Sequence, residues 1–429
     1  MDPFFMNKFG NTLSVTTREE TDKSALLWEE VRTSGKHPAR RSYHSAVMWG
    51  DKMLIYGGQD LNEGPQSGLW SIEIGQFGHE SWEKLEVEDK GGFSRHIAIL
   101  YQNKMFIFGG TNGYEEFNRT LILDLKTLRW SELNAENDLP PPLDSHTGNL
   151  YETETQHSLV VFGGYSHGER TNQVYSLDLD SLKWVHLKTS GNCPEIRSSH
   201  SACIHKDQLY IFGGISEESE KLNDFWSFDL KTCEWTQINA NGDCPSGRSG
   251  HSCIVYKDLF VVFGGMKDIT KETNDMYSYN VRNNLWTMFQ YECQVKDPVS
   301  PDQLEEFKKT KINLALLKER KAHTENSPVK PSNRLSFLES GSKSPVRRPT
   351  ISGDGSPPVF RRRRTLYEGP LNPTEGRIRG RVPHARDGHT AVVNGDIMIV
   401  FGGDRHQMPF NDTYVYYLIE ENINTPCCC

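Results

Sequence analysis

Apolar and polar positions in this chain follow a long period as well as a short one. Six times a short run of β-branched, aromatic or other apolar residues ends at a pair of glycines. The runs are Leu54 to Tyr56, Met105 to Phe108, Leu159 to Phe162, Leu209 to Phe212, Phe260 to Phe263 and Ile397 to Phe401. Runs of this kind, bounded by glycine, read as fully buried strands. The glycine pairs are Gly57-Gly58, Gly109-Gly110, Gly163-Gly164, Gly213-Gly214, Gly264-Gly265 and Gly402-Gly403. Paired glycines permit positive φ and let a neighbouring backbone come close. Ahead of each run stands a His followed by a small or apolar residue: His44, His96, His146, His200, His251 and His389. After each pair and a polar loop comes a strand centred on an apolar or aromatic residue, such as Trp70, Tyr175, Trp226, Tyr277 or Tyr414. A further strand opens at Trp82, Trp130, Trp184, Trp235 and Trp286.

A period near fifty residues with this internal order predicts an array of four-stranded antiparallel sheets, the blades of a propeller. The intervals between glycine pairs are 52, 54, 50, 51 and 138 residues, so the last holds about 87 residues beyond a normal unit. The final unit lacks its Trp strand. Trp28, in Leu26-Leu27-Trp28-Glu29-Glu30-Val31, stands ahead of the first His and supplies the missing one. The expectation is an all-β, six-bladed propeller closed by an N-terminal outer strand. Its parts would be a flexible N-terminus over 1–23, propeller over 24–294, an insertion over 295–382, the last blade over 383–422 and a tail over 423–429.

The glycine pairs, the aromatic of the third strand, the Trp of the fourth and the Arg-x-x-His that leads into blades resemble the kelch repeat family. The resemblance covers roughly residues 26–290 and 383–420. It implies a rigid platform that binds proteins. The layout is similar to leucine-zipper-like regulators, although no BTB segment is read here, and to Rab effectors with kelch motifs. Either likeness implies a small GTPase as partner, or a role in presenting substrates to a ubiquitin ligase. Fold-level likeness does not itself settle function.

Charge divides the chain. Lys and Arg number 48 against 57 Asp and Glu, a net −9. Residues 295–381 alone carry +9, which leaves −18 on the rest. An acidic disc argues against a nucleic-acid partner. Within the insertion, Ser300-Pro301-Asp302 predicts a helix start, and the helix would run over about 301–321. Beyond it the Ser-, Pro-, Gly- and Arg-rich stretch to Arg381 reads as disordered. Ser327, Ser344, Thr350, Ser356 and Thr365 there are phosphorylation candidates beside prolines or basic runs. Each phosphate would add about −1.5 to −2 charge and offset the basic arm.

No window approaches the length of an apolar membrane span, and Met1 to Lys23 does not read as a secretory leader. The expectation is a cytoplasmic protein, peripheral to membrane only if the terminal Cys427, Cys428 and Cys429 are acylated. The nine cysteines show no metal-binding spacing. No Gly-rich phosphate loop or nucleophile elbow is present. The chain therefore reads as non-catalytic, with no metal or cofactor, and a metal-dependent enzyme on a propeller is the alternative.

Partner-binding candidates come from the lead-in loops. Arg41, Arg197, Arg248 and Arg386 each stand three residues before His44, His200, His251 and His389, while Phe93 and Leu143 replace the arginine in two units. Guanidiniums converging on a channel would suit a carboxylate- or phosphate-bearing peptide. The loops after the glycine pairs open on the same end and would give specificity.

Overall fold

The computed structural model describes residues 27–75, 80–133, 138–290 and 376–418. The expected insertion helix, all five phosphorylation candidates and Cys427 to Cys429 lie outside them. Within the described residues the apolar runs form the second strands of six sheets, and there is no α-helix. Blade 1 comprises Ser45–Trp49, Lys52–Tyr56, Leu69–Glu73 and Trp82–Leu85. Blades 2 to 5 repeat that antiparallel order from Ile97, Thr147, Ser201 and Ser252.

Blade 6 is built from both ends of the sequence. Its strands Thr390–Asn394, Ile397–Phe401 and Thr413–Tyr417 are completed by Trp28–Arg32, with Trp28 opposite Tyr416 and Val31 opposite Thr413. The closing strand is the one expected. Three sheets exceed four strands. Ser190–Gly191 and Asn241–Gly242 pair in parallel with the outer strands of blades 4 and 5. Gly376–Arg379 pairs antiparallel outside Trp28–Arg32. This last strand corrects the expectation of disorder as far as Arg381. Arg377 anchors it by donating to the Glu80 carboxylate at 2.7 Å and to the Tyr417 hydroxyl at 3.1 Å.

One contact, made six times, sets the blade spacing. The Trp of each outer strand packs on the aromatic that ends the second strand of the preceding blade. Trp82 meets Phe401 at 4.9 Å between centroids, Trp130 meets Tyr56 at 5.4 Å and Trp184 meets Phe108 at 4.8 Å. Trp235 meets Phe162 at 5.0 Å, Trp286 meets Phe212 at 5.4 Å and Trp28 meets Phe263 at 5.2 Å. Such pairs contribute about 0.5–1.5 kcal/mol each beyond the apolar area they bury. The Trp28 strand thus closes a sheet and the last inter-blade interface together.

Candidate functional site: the channel mouth and its loops

Each blade is led in by a four-residue loop ending at its His. The third residue of that loop is Tyr43, Arg95, Ser145, Ser199, Gly250 or Gly388, and all six adopt φ between 53° and 63°. This left-handed turn aims each N–H at the preceding blade. Tyr43 donates to the Gly388 carbonyl, Arg95 to Tyr43, Ser145 to Arg95, Ser199 to Ser145, Gly250 to Ser199 and Gly388 to Gly250, at 2.6–3.0 Å. Six backbone hydrogen bonds therefore close a ring around the channel mouth.

The histidines form a second ring beneath it. Each imidazole packs edge-on against the aromatic before a glycine pair, as His200 does on Phe162 at 5.1 Å. The glycines make room. A Cβ on Gly57 would stand 2.6 Å from His96, and one on Gly58 2.9 Å from the Cβ of His44. Five imidazoles share a hydrogen bond through Nε2 with a hydroxyl on the preceding blade. His44 pairs with Thr390 at 2.8 Å, His96 with Ser45 at 2.9 Å and His200 with Thr147 at 2.9 Å. His251 pairs with Ser201 at 2.7 Å and His389 with Ser252 at 2.8 Å. Ile97 stands at the sixth hydroxyl position, so His146 Nε2 has no hydroxyl partner among the described residues.

Burial disfavours the charged imidazolium. It lowers His96, His146 and His389 to about 3 and His44, His200 and His251 well below their ordinary value. Nearby Arg41, Arg197 and Arg248 add to the effect at His44, His200 and His251. The six rings line a cavity of about 140 Å³ at the mouth. Their nitrogens do not gather closely enough to hold one metal ion among the described residues.

The arginines require a correction. They were expected to converge on the channel and meet a partner. Arg41, Arg197, Arg248 and Arg386 are instead 0–1% exposed. Each donates through Nη1 to the carbonyl of the first glycine of its own blade's pair, at 2.8–3.0 Å. Three of them also clamp an aspartate two residues before the third-strand aromatic, with Nη1 at 2.7 Å from Asp224, Asp275 and Asp412. Arg41 has no ion pair among the described residues, because Gly68 stands at the corresponding place. Where Phe93 replaces the arginine, the acid is replaced too: Arg119 sits there and lies over the Phe93 ring at 5.1 Å. These guanidiniums hold the lead-in loop against the glycine pair. The four arginines bracket the fold, and the four candidate histidines line the channel mouth.

The groups presented at the mouth are Tyr43 and Arg95. The Tyr43 ring lies against Gly388, where a Cβ would come within 3.0 Å, and its hydroxyl donates to Asp387 at 2.6 Å. The Arg95 guanidinium stacks over the same ring at 4.2 Å and donates to Ser145 at 3.2 Å. Around them stand the loops after the glycine pairs, each tied to its lead-in loop by a backbone bridge such as Ser42 with Gln59 or Ser94 with Thr111. Four large apolar side chains are exposed on these loops: Tyr114 at 95%, Ile269 at 81%, Leu61 at 50% and Met408 at 41%. Sequence reasoning passed over all four, although an isolated apolar residue within a polar glycine-rich loop was the available signal.

A closed ring of six blades, with alike lead-in loops and unlike crown loops at one mouth, defines a six-bladed β-propeller that varies at that end. Residues 11–155 and 138–304 match the KLHDC2/KLHL20/DRC7 Kelch-repeats domain, and the chain belongs to the kelch-repeat family. It is 29% identical over 288 residues to acyl-CoA-binding domain-containing protein 5 of Arabidopsis thaliana, covering 60% of this chain and 43% of that one. It is 26% identical to Kelch domain-containing protein 2 of Bos taurus, covering 59% of this chain and 70% of the other. It is 28% identical to the human leucine-zipper-like transcriptional regulator 1, covering 64% of this chain and 32% of that protein. The matched part thus spans less than half of the Arabidopsis thaliana relative and of the human one. Kelch propellers are in general interaction modules without catalysis. No helix among the described residues is long and apolar enough to cross a membrane.

Proposed function

We propose that this chain is a non-catalytic scaffold or adaptor that binds a protein partner on the crown loops around the channel mouth. The observation that supports this best is the placement of Leu61, Tyr114, Ile269 and Met408. Among the described residues, four of the six exposed large apolar side chains stand on one set of loops, while the other two, Val185 and Leu285, belong to outer strands. Clustered exposed apolar side chains mark interaction surfaces, and aromatic anchors carry much of the binding energy in such surfaces. Tyr43 and Arg95 add a polar centre to that apolar rim. Phosphorylation of Ser327, Ser344, Thr350, Ser356 or Thr365 tunes binding by offsetting the basic charge of 295–381.

The test is affinity capture from the native cells with wild type and a Tyr114→Ala/Ile269→Ala variant. Partners retained by wild type should be lost or bound at least about tenfold more weakly by the variant, with an unchanged melting temperature. Equal capture by both proteins would reject the crown as the site. A small GTPase among the lost partners would identify the client class implied by the sequence resemblance.

A further inference from the structure

Where blades 5 and 6 meet at the mouth, the repeat is interrupted by acids. Each lead-in loop is bridged to the residue after its glycine pair, and in blade 6 both members of the bridge are aspartates, Asp387 and Asp404. The other five bridges contain at most one acid. Glu272, from the crown loop of blade 5, joins this pair. One carboxylate oxygen from each residue lies within 4.8 Å of the other two.

Asp387 is 1% exposed. Its Oδ2 accepts from the Tyr43 hydroxyl at 2.6 Å, while its buried Oδ1 has no hydrogen-bond partner among the described residues when Asp387 and Asp404 are both ionised. A buried carboxylate oxygen without a partner is costly, and a neighbouring carboxylate cannot satisfy it when both are ionised. Burial, and then the Asp404 charge, push Asp387 well above the usual carboxylate range. Burial raises Asp404 as well. His406 contacts Glu272 itself, donating its backbone N–H to Oε1 at 3.0 Å with Nδ1 3.1 Å from Oε2, while Lys221 donates to Ser249 at 2.7 Å.

We propose that Glu272, Asp387 and Asp404 form a binding site for a calcium-class divalent cation between the crown loops of blades 5 and 6. A donor set made only of carboxylate oxygens selects hard cations over zinc or copper. Calcium bonds oxygen at about 2.3–2.6 Å, so two of its ligands stand up to roughly 5 Å apart, whereas magnesium at about 2.1 Å limits them to roughly 4 Å. The three oxygens lie within 4.8 Å of one another, inside the reach of one calcium ion. Calcium takes about 6–8 oxygens, so water completes its shell. Bound there, the cation satisfies Asp387 Oδ1 and joins the loops carrying Ile269 and Met408. The site stands whether or not the crown is the partner surface.

The experiment is calorimetric titration of the chelator-treated full chain with calcium, alongside its thermal melting with calcium or with magnesium, near neutral pH. Wild type should bind one calcium per chain and melt at a higher temperature with it, with a smaller shift in magnesium. Asp404→Asn and Glu272→Gln should each lower calcium affinity at least about tenfold while keeping the β-sheet circular dichroism of wild type. Two variants are used so that misfolding of one leaves the other to decide. Absence of both heat and melting shift in wild type would overturn the proposal, as would unchanged affinity in the folded variants. A wild type blind to calcium, with Asp404→Asn more stable than wild type, would assign the pair a shared proton and also overturn it.

Discussion

The lead-in loops and the crown loops touch through six backbone bridges, yet they follow opposite rules. The lead-in loops repeat one conformation six times, with a left-handed third residue and an inward His. The crown loops share a starting point after the glycine pair and little else. Closure explains the first set: six N–H groups meet six carbonyls in a circle only if every blade adopts the same turn. The crown bears no such constraint, because its backbone leaves the ring at the bridge. Kelch propellers can therefore vary a binding surface without disturbing the ring beneath it.

The sharpest way to break the ring is acid, because all six imidazoles are held neutral by burial. Their folded pKa values lie below the unfolded value of about 6.5, so the unfolded chain binds more protons as pH falls below that point. Stability is fully present above about pH 6.5 and declines toward the folded values, about 3 for His96, His146 and His389. Each imidazole removes about 1.4 kcal/mol per pH unit there, so six remove roughly 8 kcal/mol by pH 5.5. That is comparable to the whole stability of a typical domain, about 5–15 kcal/mol. Asp387 and Asp404, with raised pKa values, act in the opposite sense, but they are two groups against six. Thermal melts should show a steep fall between neutral pH and about 5.5. A flat profile over that window would contradict a neutral buried ring.

A smaller effect separates the blades from one another. Blades 4 to 6 carry complete Arg–Asp clamps, whereas Arg41 in blade 1 bonds only backbone carbonyls among the described residues. Arg248→Ala removes one of the two cations on the buried Asp275, leaving Lys267, and is expected to cost about 3 kcal/mol, the low end for breaking a buried pair. Arg41→Ala removes hydrogen bonds but strands no acid, for about 1–3 kcal/mol. Denaturant titration of the two variants reads the difference directly. Equal losses would show that the aspartate contributes nothing beyond the carbonyl bracket.

That clamp also marks where sequence reading stopped. Buried runs, glycine pairs and the Trp strands are carried by local pattern, and so was Trp28, because the repeat lacked one outer strand. The direction of Arg197, in a lead-in loop, depends on Asp224, 27 residues away in the third strand. No local pattern separates a guanidinium aimed at a partner from one aimed at a distant carboxylate. The tandem loss of both members, Phe93 with Arg119, was a readable trace of their pairing. The acid trio was less legible still, since Glu272 and Asp387 meet only after blade 6 has closed the ring. Gly376–Arg379 lies in a basic, proline-bearing stretch, and its strand form comes from the edge of Trp28–Arg32 and the Glu80 contact of Arg377.

The smallest effect tests the gap in the histidine ring. Ile97 takes the place of the sixth hydroxyl, and its side chain fills the notch over Gly148, where a Cβ would come within 2.6 Å of Ile97 Cδ1. Ile97→Thr loses part of that packing but offers His146 Nε2 the hydroxyl its five equivalents have. Ile97→Ala loses more packing and offers nothing. The hydrogen bond is expected to contribute about 0.5–1.5 kcal/mol, so the Thr protein should stay within about 1 kcal/mol of wild type. The Ala protein should fall about 1–3 kcal/mol below wild type for this half-buried site. The contrast between the two variants matters more than either alone, because Thr keeps the γ-methyl that Ala lacks, about 0.8 kcal/mol if fully buried, and any difference beyond it reports the hydroxyl. If Thr and Ala cost the same, the five hydroxyl–imidazole bonds are consequences of blade spacing rather than contributors to it. The ring would then rest on its backbone circle and its tryptophans.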